Sequence, residues 1–299
     1  MSSYFESSAR ERVSRLFDAG SFDEFLPPSR RVVSPHLGQL DAPVSFDDGV
    51  VVGQARLDGL KVFLAAQEGG FMGGAVGEVH GAKLTGMLRR AVRDGADAVL
   101  LLLETGGVRL HEANAGLIAV SEVMRAVFDV RAAGIPVVVL IGGSNGCFGG
   151  MGIVARCTNA IIMSEEGRLA MSGPEVIETA AGVEEYDARD RALVWRTCGG
   201  KHRYLLGDCT AIVGDRVEDF RSASLAAIAQ CRAQAVELTL AALEQEQAML
   251  GERIERFGTL PDPLDVWRAL GIAQPQAIPM LEAEEFAAVA EPFRVRGAA

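Results

Sequence analysis

Glycines carry the clearest chemical signal in this sequence. Six lie within eleven positions, directly after the apolar run Ile135 to Ile141: Gly142, Gly143, Gly146, Gly149, Gly150 and Gly152. The run is typical of a strand buried on both faces, Met151 begins a predicted short helix, and Asn159 to Met163 is a further predicted strand. A strand that passes through glycines into a helix exposes backbone N–H groups, which bind negative charge. The sequence therefore predicts a site of backbone donors, unless the glycines only allow close packing.

A second copy of this pattern lies upstream. Ala98 to Leu103 is another apolar run, and it leads through Glu104 and Thr105 into Gly106 and Gly107. This glycine pair precedes Gly142 and Gly143 by 36 positions, which is the length of a strand, a loop and a helix. Such a repeat predicts neighbouring parallel strands whose glycine loops meet at one edge of a sheet.

Other phosphate-binding glycine motifs lack support. The glycine run contains no G-x-G-x-x-G, and no G-x-x-x-x-G-K-[ST] occurs anywhere. Both motifs depend on fixed glycine spacing around a strand-to-helix turn. Dinucleotide-binding and P-loop interpretations are therefore disfavoured.

Composition excludes several further classes. The net charge of −11 argues against a nucleic-acid partner, because neutralising phosphates requires clustered Lys and Arg. The apolar runs are far shorter than the roughly 20 residues that span a bilayer, and the charged start carries no apolar signal-peptide core. Five cysteines without C-x-x-C spacing indicate reduced thiols rather than a zinc site. We expect a cytoplasmic protein with neither membrane nor metal attachment.

The remaining segments predict an α/β chain with helical ends. Asp58-Gly59 between alternating runs predicts a β-hairpin, and Gly173-Pro174-Glu175 predicts a helix start. The other expected elements are a capped helix over 8–19, a glycine-rich segment over 69–77, helices over 112–133 and 187–197, a basic loop over 199–203, one long helical stretch over 217–257, and a proline-rich tail. We divide the chain into an N-terminal helix and arm (1–43), a core domain (44–216), and a C-terminal helix and tail (217–299) packed on that domain or on a partner.

Three motifs resemble a known family. They are Met72-Gly-Gly-Ala-Val-Gly-Glu78, Thr105-Gly-Gly-Val-Arg-Leu-His-Glu112 and Gly173-Pro-Glu-Val-Ile177. Together with the glycine run they resemble the crotonase superfamily and its carboxyltransferase branch, and within it the β subunits of biotin-independent malonate decarboxylases. The second motif is similar to the S-G-G-A-R loop of that branch, with Thr105 for Ser and Val108 for Ala. The resemblance implies a crotonase-like ββα spiral with helical N- and C-terminal extensions.

The resemblance also implies chemistry. Crotonase-type enzymes hold a thioester carbonyl between two backbone N–H groups, and by position Gly107 (or Gly106) and Gly149, with Gly150 beside it, would supply them. Loss of CO₂ from a malonyl thioester leaves an enolate whose charge lies largely on the thioester oxygen, where such donors act. The segment Met72, Gly73 and Gly74 is expected to bind substrate.

Few side chains are candidates for acid–base work. Related hydratases carry Glu at the position of Gly152, so its absence argues against hydration. Glu175 resembles their second Glu and could protonate the enolate carbon, or it could only complement a helix N-terminus. His111 and Glu112 are interpreted as a loop residue and a first-turn helix charge rather than a dyad. Lys201 and Arg203 either bind the phosphates of a carrier arm or form an exposed basic loop.

Chain length implies partners. Carboxyltransferases use two crotonase-type halves, and this chain supplies one. The expected partners are a second crotonase-like decarboxylase subunit (γ), an acyl carrier protein with a phosphopantetheine-type arm, and an acyltransferase subunit, with no cofactor on this chain and no biotin. Two alternatives stay open: the β subunit of a biotin-dependent acetyl-CoA carboxylase without its four-cysteine zinc ribbon, since no cysteine precedes Cys147, and a non-catalytic scaffold.

Overall fold

One sheet organises the molecule. Within residues 3–234 and 239–295, which the computed structural model describes, seven strands lie side by side in chain order. They are β1 (Asp23–Phe25), β2 (Val50–Leu57), β3 (Leu60–Gln67), β4 (Ala98–Leu102), β5 (Val137–Ile141), β6 (Ala160–Ser164) and β7 (Ala211–Val213). Strands β1 to β3 are antiparallel, and β3 to β7 are parallel. The predicted α/β class is therefore confirmed.

Local sequence explains how the strands pair. Asp58 and Gly59 both have positive φ, 51° and 78°, and they close the predicted hairpin between β2 and β3. The two strands that precede the glycine pairs are parallel neighbours, with Leu100 opposite Val138. The repeat of 36 positions therefore predicted the strand order correctly, because each glycine loop leaves the same edge of the sheet.

Helices cover both faces of the sheet. The described residues contain α1 (Ala9–Leu16), α2 (Glu78–Arg93), α3 (Asn114–Ala132), α4 (Gly150–Arg156), α5 (Pro174–Ala181), α6 (Arg191–Cys198), α7 (Gly200–Leu205), α8 (Val217–Ala233), α9 (Leu240–Phe257), α10 (Pro263–Ala269) and α11 (Ala283–Ala290). Short 3-10 helices lie at Pro28–Arg30, Leu37–Leu40, Met72–Gly74, Leu110–Glu112, Pro275–Met280 and Glu291–Phe293. Helix α1 begins with a capping box between Ser8 and Glu11, as predicted.

Two buried clusters lie on opposite faces of the sheet. Along β4, Val99 and Leu101 join one cluster, whereas Leu100 and Leu102 join the other. Successive side chains of a strand point to opposite faces, so a strand covered on both sides must be apolar throughout. This explains the uninterrupted apolar runs in the sequence.

The C-terminal third differs from the sequence prediction in its helices. The stretch 217–257 is not one helix but two, since Gln234 leaves the helical conformation after α8 and Thr239 caps α9 through its hydroxyl. Residues 235–238 lie outside the described residues. The predicted proline-rich tail contains helices, since Pro263 begins α10, and it packs on the same domain, where Trp267 is buried in the core. Proline fits the first helical turn, where no N–H is needed, so it marked helix starts.

No described helix is both long and apolar enough to cross a membrane. Across the described ranges, no three His, Cys, Asp or Glu side chains lie together in a way that could hold a metal ion.

Candidate functional site

Three loops meet at the carboxyl edge of the parallel strands. They follow β4, β5 and β6, and they are joined by parallel bridges from Thr105 to Cys147 and from Cys147 to Leu169. The N–H of Phe148 donates to the Thr105 carbonyl at 2.9 Å, and that of Cys147 to the Arg168 carbonyl at 2.8 Å. The two glycine loops predicted to converge are therefore neighbours in space.

The closest approach of the two loops is at Gly107 and Gly149. A Cβ on Gly149 would stand 2.9 Å from the Gly107 Cα, a distance that real side chains essentially never have. The φ angles of both residues are positive, 128° for Gly107 and 63° for Gly149. Glycine is required at Gly149 by both the close approach and the backbone conformation, whereas at Gly107 a Cβ would lie at an ordinary 3.7 Å and only the positive φ disfavours a side chain.

The hydrogen bonds of the two loops show that the free backbone N–H groups are not all the predicted ones. The N–H of Gly107 donates to the Thr105 hydroxyl at 3.0 Å, and that of Gly149 donates to the Met171 carbonyl at 2.8 Å. One residue further along each loop, the N–H groups of Val108 and Gly150 have no acceptor among the described residues. The Val108 nitrogen lies 3.9 Å from the point where a Cβ on Gly149 would stand. The free donors are thus one position beyond the predicted Gly107 and at the predicted Gly150.

The segment Met72–Gly74 packs against the glycine loop that follows β4. The carbonyl of Gly73 accepts the N–H of Gly106 at 2.8 Å, so Gly106 is not a free donor either. A Cβ on Gly74 would collide with the Glu104 carbonyl oxygen. These contacts hold the loop in its position. The predicted contact of Met72–Gly74 with substrate stays a prediction.

Glu175 lies at the second position of α5 and is exposed. Helix α5 begins three residues after Met171, whose carbonyl accepts the N–H of Gly149, so Glu175 lies four positions from a residue bonded to the second glycine loop. Pro174 occupies the first helical position, as predicted. Gly152, where hydratases carry Glu, has no room for a side chain, because a Cβ there would lie 2.8 Å from the Ala170 carbonyl oxygen.

His111 and Glu112 form no dyad. Glu112 is buried, pairs with Arg109 at 3.1 Å and accepts the N–H of Glu78 at 2.5 Å, whereas His111 is exposed. The prediction that Glu112 is a first-turn charge of its own helix is wrong, since it lies before α3 and binds the start of α2. Arg109 also pairs with buried Asp48 at 2.9 Å, so the loop is anchored by a charge cluster. That cluster was missed, because no local pattern links position 48 to position 109.

The predicted basic loop at 199–203 is wrong. Gly200–Leu205 forms α7, and Lys201 is buried. The Lys201 ammonium donates to the Leu281 carbonyl at 2.5 Å and pairs with Glu165 at 3.0 Å, while Arg203 pairs with Asp208 at 3.1 Å. These cations are used inside the chain and do not form an exposed surface for phosphate. Sequence alone could not reveal this, because their partners lie up to 80 positions away.

His202 in the same helix predicts a pH effect on stability. Its Nδ1 accepts from Trp267 Nε1 at 3.1 Å, and burial, reinforced by nearby Arg203, lowers the pKa of His202 to about 3. An unfolded histidine binds a proton below about pH 6.5, so the unfolded state holds more protons between about pH 6.5 and 3, and stability falls as pH drops through that window. We expect His202→Gln to lose less stability than the parent between pH 7.5 and 5, measured by urea unfolding. The exposed His111→Gln is the control and should retain the parent slope.

Comparison with known proteins identifies the family. The family model described as "Carboxyl transferase domain" matches residues 6–198, which is more than half of the chain. The chain belongs to the carboxyl transferase domain family. This family member is 40% identical to malonyl-S-ACP:biotin-protein carboxyltransferase MADC of Malonomonas rubra over 307 residues, covering 97% of this chain and 96% of that protein.

Two solved structures extend the comparison. A Pseudomonas malonate decarboxylase hetero-tetramer in complex with malonate is 41% identical, with a TM-score of 0.79, and the match covers 90% of this chain and 97% of that chain. A Pseudomonas malonate decarboxylase MdcD-MdcE hetero-dimer is 38% identical, with a TM-score of 0.65, covering 83% and 96%. The resemblance to malonate decarboxylase subunits and the crotonase-like fold are confirmed.

Proposed function

We propose that this carboxyl transferase domain protein is the subunit of a malonate decarboxylase that cleaves a malonyl thioester on an acyl carrier protein, leaving the acetyl thioester. The observation that carries the proposal is the pair of adjacent backbone donors, Val108 and Gly150, without acceptors in the described chain. Departure of CO₂ leaves its bonding electrons on the thioester, and the resulting enolate oxygen accepts both N–H groups. Each preorganised donor of this kind contributes about 10²–10³ in rate.

Apolar surface around the donors supports a partner subunit. Large apolar side chains are exposed on the elements that adjoin the glycine loops: Leu110, Leu117, Ile118, Ile153, Met171 and Val176. Clustered exposure of this kind marks protein–protein contact, and obligate interfaces commonly bury more than about 2,000 Å². The related Pseudomonas structures are a hetero-tetramer and a hetero-dimer. We infer that a second crotonase-like subunit covers this surface and completes the site, while the acyl carrier and acyltransferase subunits belong to the same complex.

The test is co-purification of this chain with its untagged neighbours, followed by assay of malonyl-carrier turnover. The complex should release CO₂ from malonyl-carrier without any other acceptor, and the isolated chain should have little or no activity. A monodisperse monomer with full decarboxylase activity would refute the two-subunit site.

The Malonomonas rubra relative favours one alternative, transfer of the carboxyl group from malonyl-S-ACP to a biotin protein. Both reactions begin with the same C–C cleavage and the same enolate, so the donors described above fit either. The assays separate them because addition of a biotin carrier should leave CO₂ release unchanged for a decarboxylase. If turnover requires the biotin carrier and the carboxyl group is recovered on it, the chain is a carboxyltransferase.

Glu175 is the proposed proton donor to the enolate carbon. It is exposed in the chain alone and follows the segment bonded to Gly149, so a partner subunit could enclose it next to the substrate. We expect Glu175→Gln to lower kcat about tenfold, below the ~10²–10⁴ typical of acid–base residues, because water can also protonate a free enolate. Glu178→Gln on the same helix is unsuitable as a control, since Glu178 is partly buried and accepts the N–H of Ala188. Glu184→Gln serves instead, because Glu184 is exposed and has no hydrogen bond or ion pair with the described residues. An unchanged kcat in Glu175→Gln would assign Glu175 to the helix terminus alone.

A further inference from the structure

A cavity opens at the same edge of the sheet as the glycine loops. Its volume is about 480 Å³, and its lining includes Phe5, Ser144, Arg168, Arg189, Arg191 and Trp195. Ser144 follows β5 and Arg168 follows β6, so the cavity lies outside the carboxyl ends of parallel strands. Open α/β sheets commonly bind their ligands at this edge.

The cavity concentrates positive charge in an acidic protein. Arg168, Arg189 and Arg191 form no ion pair with a carboxylate within residues 3–234 and 239–295, although most of the described arginines do. The acidic groups closest in sequence, Asp187 and Asp190, accept backbone N–H groups at 2.8 and 3.0 Å. Three guanidinium groups without a carboxylate partner therefore line one cavity in a chain of net charge −11.

One of the three guanidinium groups is held in place. The Arg168 guanidinium lies 5.8 Å from the ring centres of both Phe148 and Trp195, and it donates to the Ser144 carbonyl. Its Nε is buried and has no acceptor among the described residues. A guanidinium fixed between two rings loses little freedom when it binds a ligand. Phe148 directly precedes Gly149, so the cavity and the glycine loop share one piece of backbone.

We propose that this arginine cavity binds the phosphate group of the acyl carrier's thioester arm, an inference that rests on the proposed function. Planar guanidinium groups match phosphate oxygens in pairs, and three of them suit a phosphate better than a single carboxylate. A phosphopantetheine-type arm has its phosphate at the end remote from the thioester. Ser144 is six residues from Gly150, which limits their separation to about 20 Å of extended chain. One arm can thus reach from the cavity to the backbone donors.

In this proposal the cavity, rather than Lys201 and Arg203, binds the phosphate of the carrier arm. Those cations are paired within the chain, whereas Arg189 and Arg191 are exposed and have no ion pair in the described ranges. Attraction between this local positive region and an acidic carrier would offset the repulsion between two acidic proteins.

The test uses the assembled complex and the variants Arg189→Ala, Arg191→Ala and their combination. We expect KM for malonyl-carrier to rise about tenfold for each arginine removed, as for the loss of a hydrogen bond to a charged group, with kcat unchanged and a flatter salt dependence of KM. The matched control is Arg256→Ala on α9, which removes an exposed arginine that has no ion pair with any described residue, and it should leave KM unchanged. A fall in kcat with unchanged KM in the double variant would overturn the proposal.

A binding measurement separates this proposal from the proposed function. Calorimetry compares 4′-phosphopantetheine with pantetheine, which lacks only the phosphate. The parent complex should bind the phosphorylated compound at least about 100-fold more tightly, and the double variant, which keeps Arg168, should retain a preference of no more than about tenfold. Equal binding by the parent would overturn the cavity's assignment even if decarboxylation occurs. A phosphate preference that falls in the double variant, in a complex without decarboxylase activity, would support the cavity and reject the proposed reaction.

Discussion

Gly149→Ala should lower kcat about 10²–10³-fold in the assembled complex, the cost of losing one preorganised oxyanion donor. The added Cβ would stand 2.9 Å from the Gly107 Cα, and a backbone atom cannot move aside as a flexible side chain can. The φ of 63° at Gly149 disfavours any side chain as well. The two loops must separate, and Val108 and Gly150 then no longer converge on one oxygen. The measurement is steady-state CO₂ release, with circular dichroism and Tm to verify folding.

Gly106→Ala is the matched control for this effect. Gly106 is exposed, and its Cβ would lie 3.5 Å from the Gly73 carbonyl oxygen, an ordinary contact distance. Its activity should stay within about a few-fold of the parent, since surface changes of this kind usually alter stability by less than about 0.5 kcal/mol. Equal losses in both variants, or no loss at Gly149, would show that the close approach of the loops does not position the donors.

Arg109→Met should lower the free energy of unfolding by about 3–5 kcal/mol, as expected when one partner of a buried ion pair is removed. Arg109, Asp48 and Glu112 have fully buried side chains, and the guanidinium pairs with both carboxylates. Burial already raises the pKa of Asp48 against the charge of Arg109. Without the arginine, two carboxylates face each other in the core next to the glycine loop.

Urea unfolding of Arg109→Met is compared with that of Arg89→Met. Arg89 pairs with Glu122 at 3.1 Å, but both side chains are about half exposed, so the control should lose no more than about 1 kcal/mol. If Arg109→Met accumulates too little folded protein for titration, Arg109→Lys is measured instead. It keeps the charge but not the bidentate geometry, so its loss in free energy of unfolding should fall between those of Arg109→Met and Arg89→Met. If Arg109→Met loses as little free energy of unfolding as Arg89→Met, the charge cluster does not anchor the loop.

Local patterns predicted the sheet well. The apolar runs ending at Leu103 and Ile141 became parallel neighbours, and Asp58-Gly59 closed the hairpin. Strand burial and tight turns depend on a few adjacent residues, so the sequence displays them directly. The C-terminal third was predicted poorly, because prolines that suggest a tail also mark helix starts, and only packing of Trp267 distinguishes the two.

By itself, the sequence determined the family, the α/β class and the convergence of two glycine loops, because each is written in short motifs and in apolar periodicity. Only the tertiary structure decided which N–H groups are free and which cations are exposed. Gly107 and Gly149 lie at the closest approach of the two loops, yet their own N–H groups have acceptors, and Lys201 is paired with groups far along the chain. A backbone donor has no side-chain signature, and a charge is free or paired according to neighbours that folding brings from distant positions.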